Sequence, residues 1–160
     1  MKAKPRHQLR KTQKKEMINT IKNVFEDANA VIGTKRIELA QAENYELILV
    51  DGKPLFFITD GEPFFTVRGA LELQPQKRLV MVDAGAVSFV AKGADIMRPG
   101  IVSADPGIKE GDMVIIVEQT HGKPLAIGRA LVSGEQMTGD SGKVVKTIHY
   151  VGDRIWNIEV

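Results

Sequence analysis

The sequence predicts an α+β chain in two parts, a small helix-plus-antiparallel-sheet domain followed by a small β pseudo-barrel with one short helix. Three observations carry this expectation. Helical apolar spacing occurs once near the N-terminus, and from about residue 30 onward the texture changes to short β-rich segments punctuated by glycine turns. Between the halves, Gln74-Pro75-Gln76-Lys77-Arg78 is polar, contains proline and interrupts both patterns, which divides residues 1–75 from 76–160. The 160 residues suit one average domain or two small ones, enough to bury a core without disulfide staples.

The elements follow in order. Residues 1–15 hold seven cations (Lys2, Lys4, Arg6, Arg10, Lys11, Lys14, Lys15) and no acid, residues 16–75 hold five cations against ten acids, and residues 76–160 hold ten of each, which recovers the net charge of +2. Such a basic arm commonly meets a polyanion. Met17, Ile18, Ile21, Val24 and Phe25 then form the stripe of a helix over residues 12–27 with one buried face. In its first turn Arg10 with Lys14, and Lys11 with Lys15, set like charges at i,i+4 near the positive end of the helix dipole. Each pair costs about 0.2–0.5 kcal/mol. An anionic partner and a solvated, frayed terminus both account for this arrangement.

Val31-Ile32, Ile37-Glu38-Leu39, residues 45–50, 54–59 and 64–67 read as strands. Asp51-Gly52 and the punctuation around Asp60-Gly61 are hairpin turns, since glycine tolerates the positive φ a tight turn requires. Residues 68–73 suit a short helix. Beyond the break, residues 79–82 read as a strand, Asp83 as a helix N-cap, and Val87, Phe89 and Val90 as one or two helical turns closed by Gly93. Strands are expected over 112–118, 124–132, 144–151 and 154–160, with turns at Gly111, Gly122 and Gly152; that succession suggests a small barrel.

Several chemistries fall away. There is no cysteine, which removes disulfides, thiolate zinc sites, iron–sulfur clusters and thiol catalysis. His7, His121 and His149 lack any metal-ligand spacing, and no phosphate-cradling glycine loop or dinucleotide fingerprint occurs; neither a metal nor a cofactor is expected. Gly139-Asp140-Ser141-Gly142 matches the nucleophile motif of chymotrypsin-like proteases, but such a triad needs two β-barrels and a histidine base, so a turn explains it better. Val82-Asp83-Ala84-Gly85 lacks the hydroxyl residue and the second copy of an aspartic-protease loop. Glu110 and Asp112 lie on a turn rather than across a cleft. No catalytic residue emerges, and the chain reads as no enzyme. Trp156 suits core packing better than base stacking. The N-terminus lacks an apolar signal segment and no apolar run approaches the ~20 residues of a membrane span, so the cytoplasm is the expected location and no membrane partner is expected.

Residues 82–101, with Asp83-Ala84-Gly85-Ala86, Gly93-Ala94 and Pro99-Gly100-Ile101, closely resemble the start of a PUA domain, the RNA-binding module of pseudouridine synthases and archaeosine transglycosylases. Residues 108–114, the small-residue run Ala126-Ile127-Gly128-Arg129-Ala130 and residues 142 onward continue the resemblance over 77–160. A helix and small sheet ahead of such a domain, with Asp51-Gly52, Gly61-Glu62-Pro63-Phe64 and residues 148–156, resemble the pre-PUA arrangement of archaeal relatives of the malignant-T-cell-amplified and ligatin translation factors. The absence of cysteine departs from the eukaryotic proteins and leaves a dedicated protein partner unassigned.

The resemblance implies a non-catalytic protein that binds structured RNA, tRNA or rRNA, in initiation, reinitiation or ribosome recycling. Its RNA-facing surface would comprise Lys92, Gly93, Ala94, Asp95, Met97 and Arg98, extended by Lys143, Lys146 and His149. Lys92 and Arg98 would pair with phosphates, Met97 would pack on a sugar or base, and Asp95 would accept from a base edge or 2′-hydroxyl. Glycine at 85 and 93 would let a nucleic-acid backbone approach closely. The basic arm (Arg6, Arg10, Lys11, Lys14, Lys15) and first domain would dock on the small ribosomal subunit or a second RNA segment. Two other classes compete: an accessory or specificity subunit in RNA modification, and a ribosome-associated adaptor that holds a basic protein through the acidic segment 16–75.

Overall fold

Tight turns with left-handed backbone organise the first half, because a two-residue hairpin loop matches the natural strand twist only with positive φ. Asp51 (φ 49°) with Gly52 (83°), and Asp60 (51°) with Gly61 (79°), take that conformation. In the computed structural model, which describes residues 2–4 and 6–160, they join β3 (Tyr45–Val50), β4 (Lys53–Thr59) and β5 (Glu62–Phe65) into an antiparallel meander. β2 (Ile37–Ala42) pairs with β3 around a further two-residue turn at Glu43-Asn44, with Ala42 opposite Tyr45. β1 (Arg6–Gln8) closes the edge of this five-stranded sheet, with His7 opposite Leu39.

The basic arm is therefore part of the fold: Arg6 lies in β1, Arg10 is the N-cap of α1 (Lys11–Ile21), and Lys11, Lys14 and Lys15 lie on α1 itself. That helix is shorter than the stripe over 12–27 suggested. Asn23 and Val24 make i→i−3 bonds to Thr20 and Ile21, which tighten and end the helix among residues of modest helix propensity. Val24 is still buried, and the Phe25 ring meets Phe65 edge-on at 6.0 Å, so the apolar face points inward past the break. Val31 and Ile32 belong to a helix, α2 (Ala28–Ile32), rather than a strand; Ala28 and Ile32, at i,i+4, are its buried pair. α3 (Val67–Leu73) starts at Thr66, whose hydroxyl accepts from the Gly69 amide at 3.0 Å and donates to the Pro54 carbonyl at 2.7 Å. A Cβ on Gly69 would lie 1.9 Å from the Leu55 carbonyl oxygen, so glycine sets how closely α3 packs on β4.

In the second half, β6 (Leu79–Val82), β7 (Ile96–Met97), β8 (Ile101–Ala104), β9 (Met113–Glu118), β10 (Pro124–Ala130) and β11 (Lys143–Tyr150) form a mixed six-stranded sheet in the order β7-β11-β10-β9-β6-β8. β6 runs parallel to β9, and the other pairs are antiparallel. The 3-10 turn Arg98–Gly100 connects the two end strands, giving a nearly closed barrel around Val80, Val82, Ile116, Ala126, Val144 and Val145. A bulge between Ile127 and Gly128 bends the sheet, and Gly128 sits where a Cβ would lie 2.5 Å from Val145 Cγ1.

The chain divides into two compact units, Met1–Gln76 with Asn157–Val160, and Lys77–Trp156. The last four residues thus leave the 76–160 segment: Ala3 donates to the Glu159 carbonyl at 2.9 Å, and Lys2 bridges Glu159 in parallel. Of the strand expected over 154–160, Glu159 alone makes a β-bridge, and residues 154–157 are turns, tied by Asp153. Its carboxylate accepts from the amides of Tyr150 (2.9 Å) and Trp156 (2.8 Å) and pairs with His149 Nδ1 at 2.9 Å. Trp156 is half-buried in these turns. The Gly-Asp-Ser-Gly segment is likewise a turn, with Gly142 at φ 99°.

Candidate nucleic-acid interface

The site is built on α4 (Ala84–Val90), started by Asp83, whose carboxylate accepts from the Ala86 amide at 2.9 Å. It ends in a Schellman pattern: Ala94 N–H donates to Phe89 O (3.1 Å) and Gly93 N–H to Val90 O (2.9 Å), with Gly93 at φ 84°. The short helix buries Val90, with Ala86 one turn earlier packed against the barrel core. Phe89 then faces solvent, 64% exposed. Across from it, at the barrel edge, Met97 is 47% exposed. Between them lies an apolar cleft of about 470 Å³, lined among others by Gly85, Ala86, Phe89, Ala94, Met97 and Pro99. Leaving apolar side chains of this size in water forgoes burial energy, so a partner surface is the expected use of the patch.

Polar groups frame the cleft. Asp95 accepts from the Thr147 amide at 2.9 Å and pairs with Lys143 Nζ at 2.9 Å, while the Thr147 hydroxyl donates to the Ala94 carbonyl at 2.8 Å. The Lys143 hydrogen bond, assisted by the Thr147 amide and the charge of Lys146 and only partly opposed by burial, holds the Asp95 carboxyl below its ordinary value. Asp95 therefore fastens β11 to the loop after α4. Lys92, Lys143 and Lys146 are exposed.

Three expected site residues turn out to have work inside the chain. The Arg98 guanidinium donates to the carbonyls of Gln136 (2.9 Å) and Ser141 (2.9 Å), and its amide donates to Gly142 O at 2.8 Å. It staples the 134–142 segment to the barrel edge. At Gly93, a Cβ would lie 2.6 Å from the Tyr150 ring, so the absent side chain makes room for a tyrosine of the same domain. His149 is wholly buried and paired with Asp153, which removes it from the surface it was expected to extend. Conversely, Phe89 went unrecognised in the sequence. Spacing gave no signal for it: Phe89 and Val90 stand at i+3 and i+4 from Ala86, both close to that residue's face, so only the packing of Val90 against the barrel core decides which of the two is left in solvent.

Among the described residues, no three His, Asp or Glu side chains gather as a metal site, and no helix is long and apolar enough to cross a membrane.

The PUA domain model matches residues 78–151, and a domain of unknown function (DUF1947) matches residues 5–68. The protein MJ1432 of Methanocaldococcus jannaschii is 41% identical over 161 residues, covering 99% of both chains. Translation machinery-associated protein 20 of Saccharomyces cerevisiae is 30% identical over 167 residues, covering 99% of this chain and 92% of that protein. The chain belongs to the PUA-domain family that includes translation machinery-associated protein 20 and malignant T-cell-amplified sequence 1. Its two-part fold is shared: a crystal structure of the hypothetical protein PH0734.1 from Pyrococcus horikoshii superposes with a TM-score of 0.87 at 41% identity, over 95% of this chain and 98% of that one. The α4 cleft lies within the PUA match, and the sheet with α1 lies within the DUF1947 match.

Proposed function

We propose that this protein is a non-catalytic, cytoplasmic RNA-binding protein of translation, whose PUA domain holds a structured RNA, tRNA or rRNA, at an unpaired end. The observation that carries the reading is the apolar cleft between exposed Phe89 and Met97, beside Lys92, Lys143 and Lys146. An unpaired base offers a flat apolar face to an aromatic ring and a charged phosphate to nearby ammonium groups, which is the composition this cleft asks for. Within it Lys92 and Lys146 contact phosphates, Met97 packs on a sugar or base, and Phe89 supplies the stacking face. Asp95, Arg98, Gly93 and Lys143 hold the rim in shape. The name of the yeast relative, and its match over nearly the whole chain, support a place beside the ribosome.

Fluorescence anisotropy with tRNA, the same tRNA trimmed of its 3′ single-stranded end, and duplex DNA tests the reading. Phe89→Ala, a change at an exposed position, is expected to leave the unfolding free energy within about 0.5 kcal/mol of wild type. Loss of one stacked base costs roughly 1–3 kcal/mol, so Kd for intact tRNA rises about 5- to 150-fold. Equal affinity for intact and trimmed tRNA, unaltered by Phe89→Ala, would remove the cleft from RNA recognition.

A further inference from the structure

The first unit carries a second charged surface that the cleft does not involve. Two consecutive elements, β1 and α1, meet there with a loop about twenty residues further along the chain. β1 lies at the sheet edge with Arg6 opposite Ala40, and the Leu9 amide donates to the Ile37 carbonyl at 3.0 Å. That bond sets the start of α1 beside the loop that ends at Arg36. One turn into α1, Lys14 Nζ donates to the Lys35 carbonyl at 2.8 Å. Arg6, Arg10, Lys11, Lys15, Lys35 and Arg36 are all exposed.

Few acids answer them. Asp51 lies 3.6 Å from Lys35, and Glu38 lies 3.3 Å from Arg36. Arg6, Arg10, Lys11 and Lys15 have no carboxylate in salt-bridge range among the described residues. α1 has no acid in its first turn, where the helix dipole favours one, and Lys11 and Lys15 repeat a like charge on one face. Structural needs alone explain neither the missing acid nor the repeated charge. The like charges are also held on a strand edge and a helix, so they cannot drift apart as they would on a loose tail.

We infer that this β1–α1–Arg36 surface is a phosphate-binding platform for the backbone of double-stranded RNA, a contact separate from the α4 cleft and independent of the reading given for that cleft. Ammonium and guanidinium groups held on a strand edge and a helix, with no exposed Phe, Tyr or Trp in β1, α1 or the loop ending at Arg36, suit phosphates rather than bases.

The test is titration of the full-length protein with a blunt-ended RNA duplex, which offers no unpaired base, at several salt concentrations. Lys11→Glu/Lys15→Glu places acids at the positive end of α1, so the helix is at least as stable and any lost binding is not unfolding. Duplex affinity at low salt is expected to fall about tenfold or more, and the slope of log Kd against log salt to shrink by about two, one per phosphate contact removed. Lys109→Glu/Lys123→Glu, the same change in net charge at exposed residues of the second unit, should leave duplex binding as in wild type. Unchanged duplex affinity and slope in Lys11→Glu/Lys15→Glu would overturn the platform. So would equal losses from both charge-reversed pairs, which would reduce the effect to net charge. Binding of polyglutamate, but not RNA, that is lost on reversal would overturn it in favour of an acidic protein partner.

Discussion

Gly93 answers two demands with one missing side chain. Its φ of 84° lies where L side chains are strained, and the space a Cβ would fill is taken by the Tyr150 ring at 2.6 Å. Gly93→Ala is therefore expected to lower stability by about 1–3 kcal/mol, read as a drop in urea midpoint, and to displace Tyr150. An unchanged midpoint would show that the loop relaxes without cost. The glycine itself was legible in the sequence as a helix stop, but its reason was not, because Tyr150 stands 57 positions away in the chain. Arg98 and His149 teach the same thing. A cation beside Pro-Gly and a histidine in a late strand look like surface chemistry until the fold supplies two carbonyls for one and a buried carboxylate for the other.

Elements defined by local turn chemistry were legible; those ended by tertiary packing were not. Asp51-Gly52, Asp60-Gly61 and the Asp83 cap stand where expected, since each rests on the conformational range or capping chemistry of one or two residues. The end of α1, the helical state of Val31-Ile32 and the loss of the last strand depend on contacts that spacing does not encode. Asp153 organises that last segment. Burial works against its ionisation, but the His149 ring, by hydrogen bond and charge, and the amides of Trp156 and Tyr150 outweigh it and hold its carboxyl below the ordinary 3.8. A carboxyl depressed by folding stabilises the fold fully above its unfolded value, and that contribution is lost as pH falls through the lower folded value. Asp153→Asn should thus unfold at lower urea than wild type near neutral pH, with the gap closing below about pH 4. Parallel urea midpoints across the whole acid range would mean that the carboxylate charge does not fasten the turn.

At the scale of the whole chain, a net charge of +2 conceals two surfaces of different physics. The order of a helix-and-sheet part before a barrel was visible from hydrophobic period and turn spacing, and the spaced glycines and prolines of residues 82–101 pointed to the PUA family. The basic run was visible too, but not its construction, since Lys35 and Arg36 join it only through β1–β2 pairing and the Lys14 hydrogen bond. The two surfaces should separate in one experiment. An apolar cleft contributes through stacking, which salt barely screens, whereas a phosphate platform contributes through released counterions. With an RNA hairpin bearing a single-stranded 3′ end, Phe89→Ala should shift the line of log Kd against log salt vertically with its slope intact. Lys11→Glu/Lys15→Glu should tilt that line instead, so that its curve approaches wild type at high salt. If both variants tilted the line equally, stacking and phosphate contact would not be divided between these two surfaces, and the RNA would be held by charge alone.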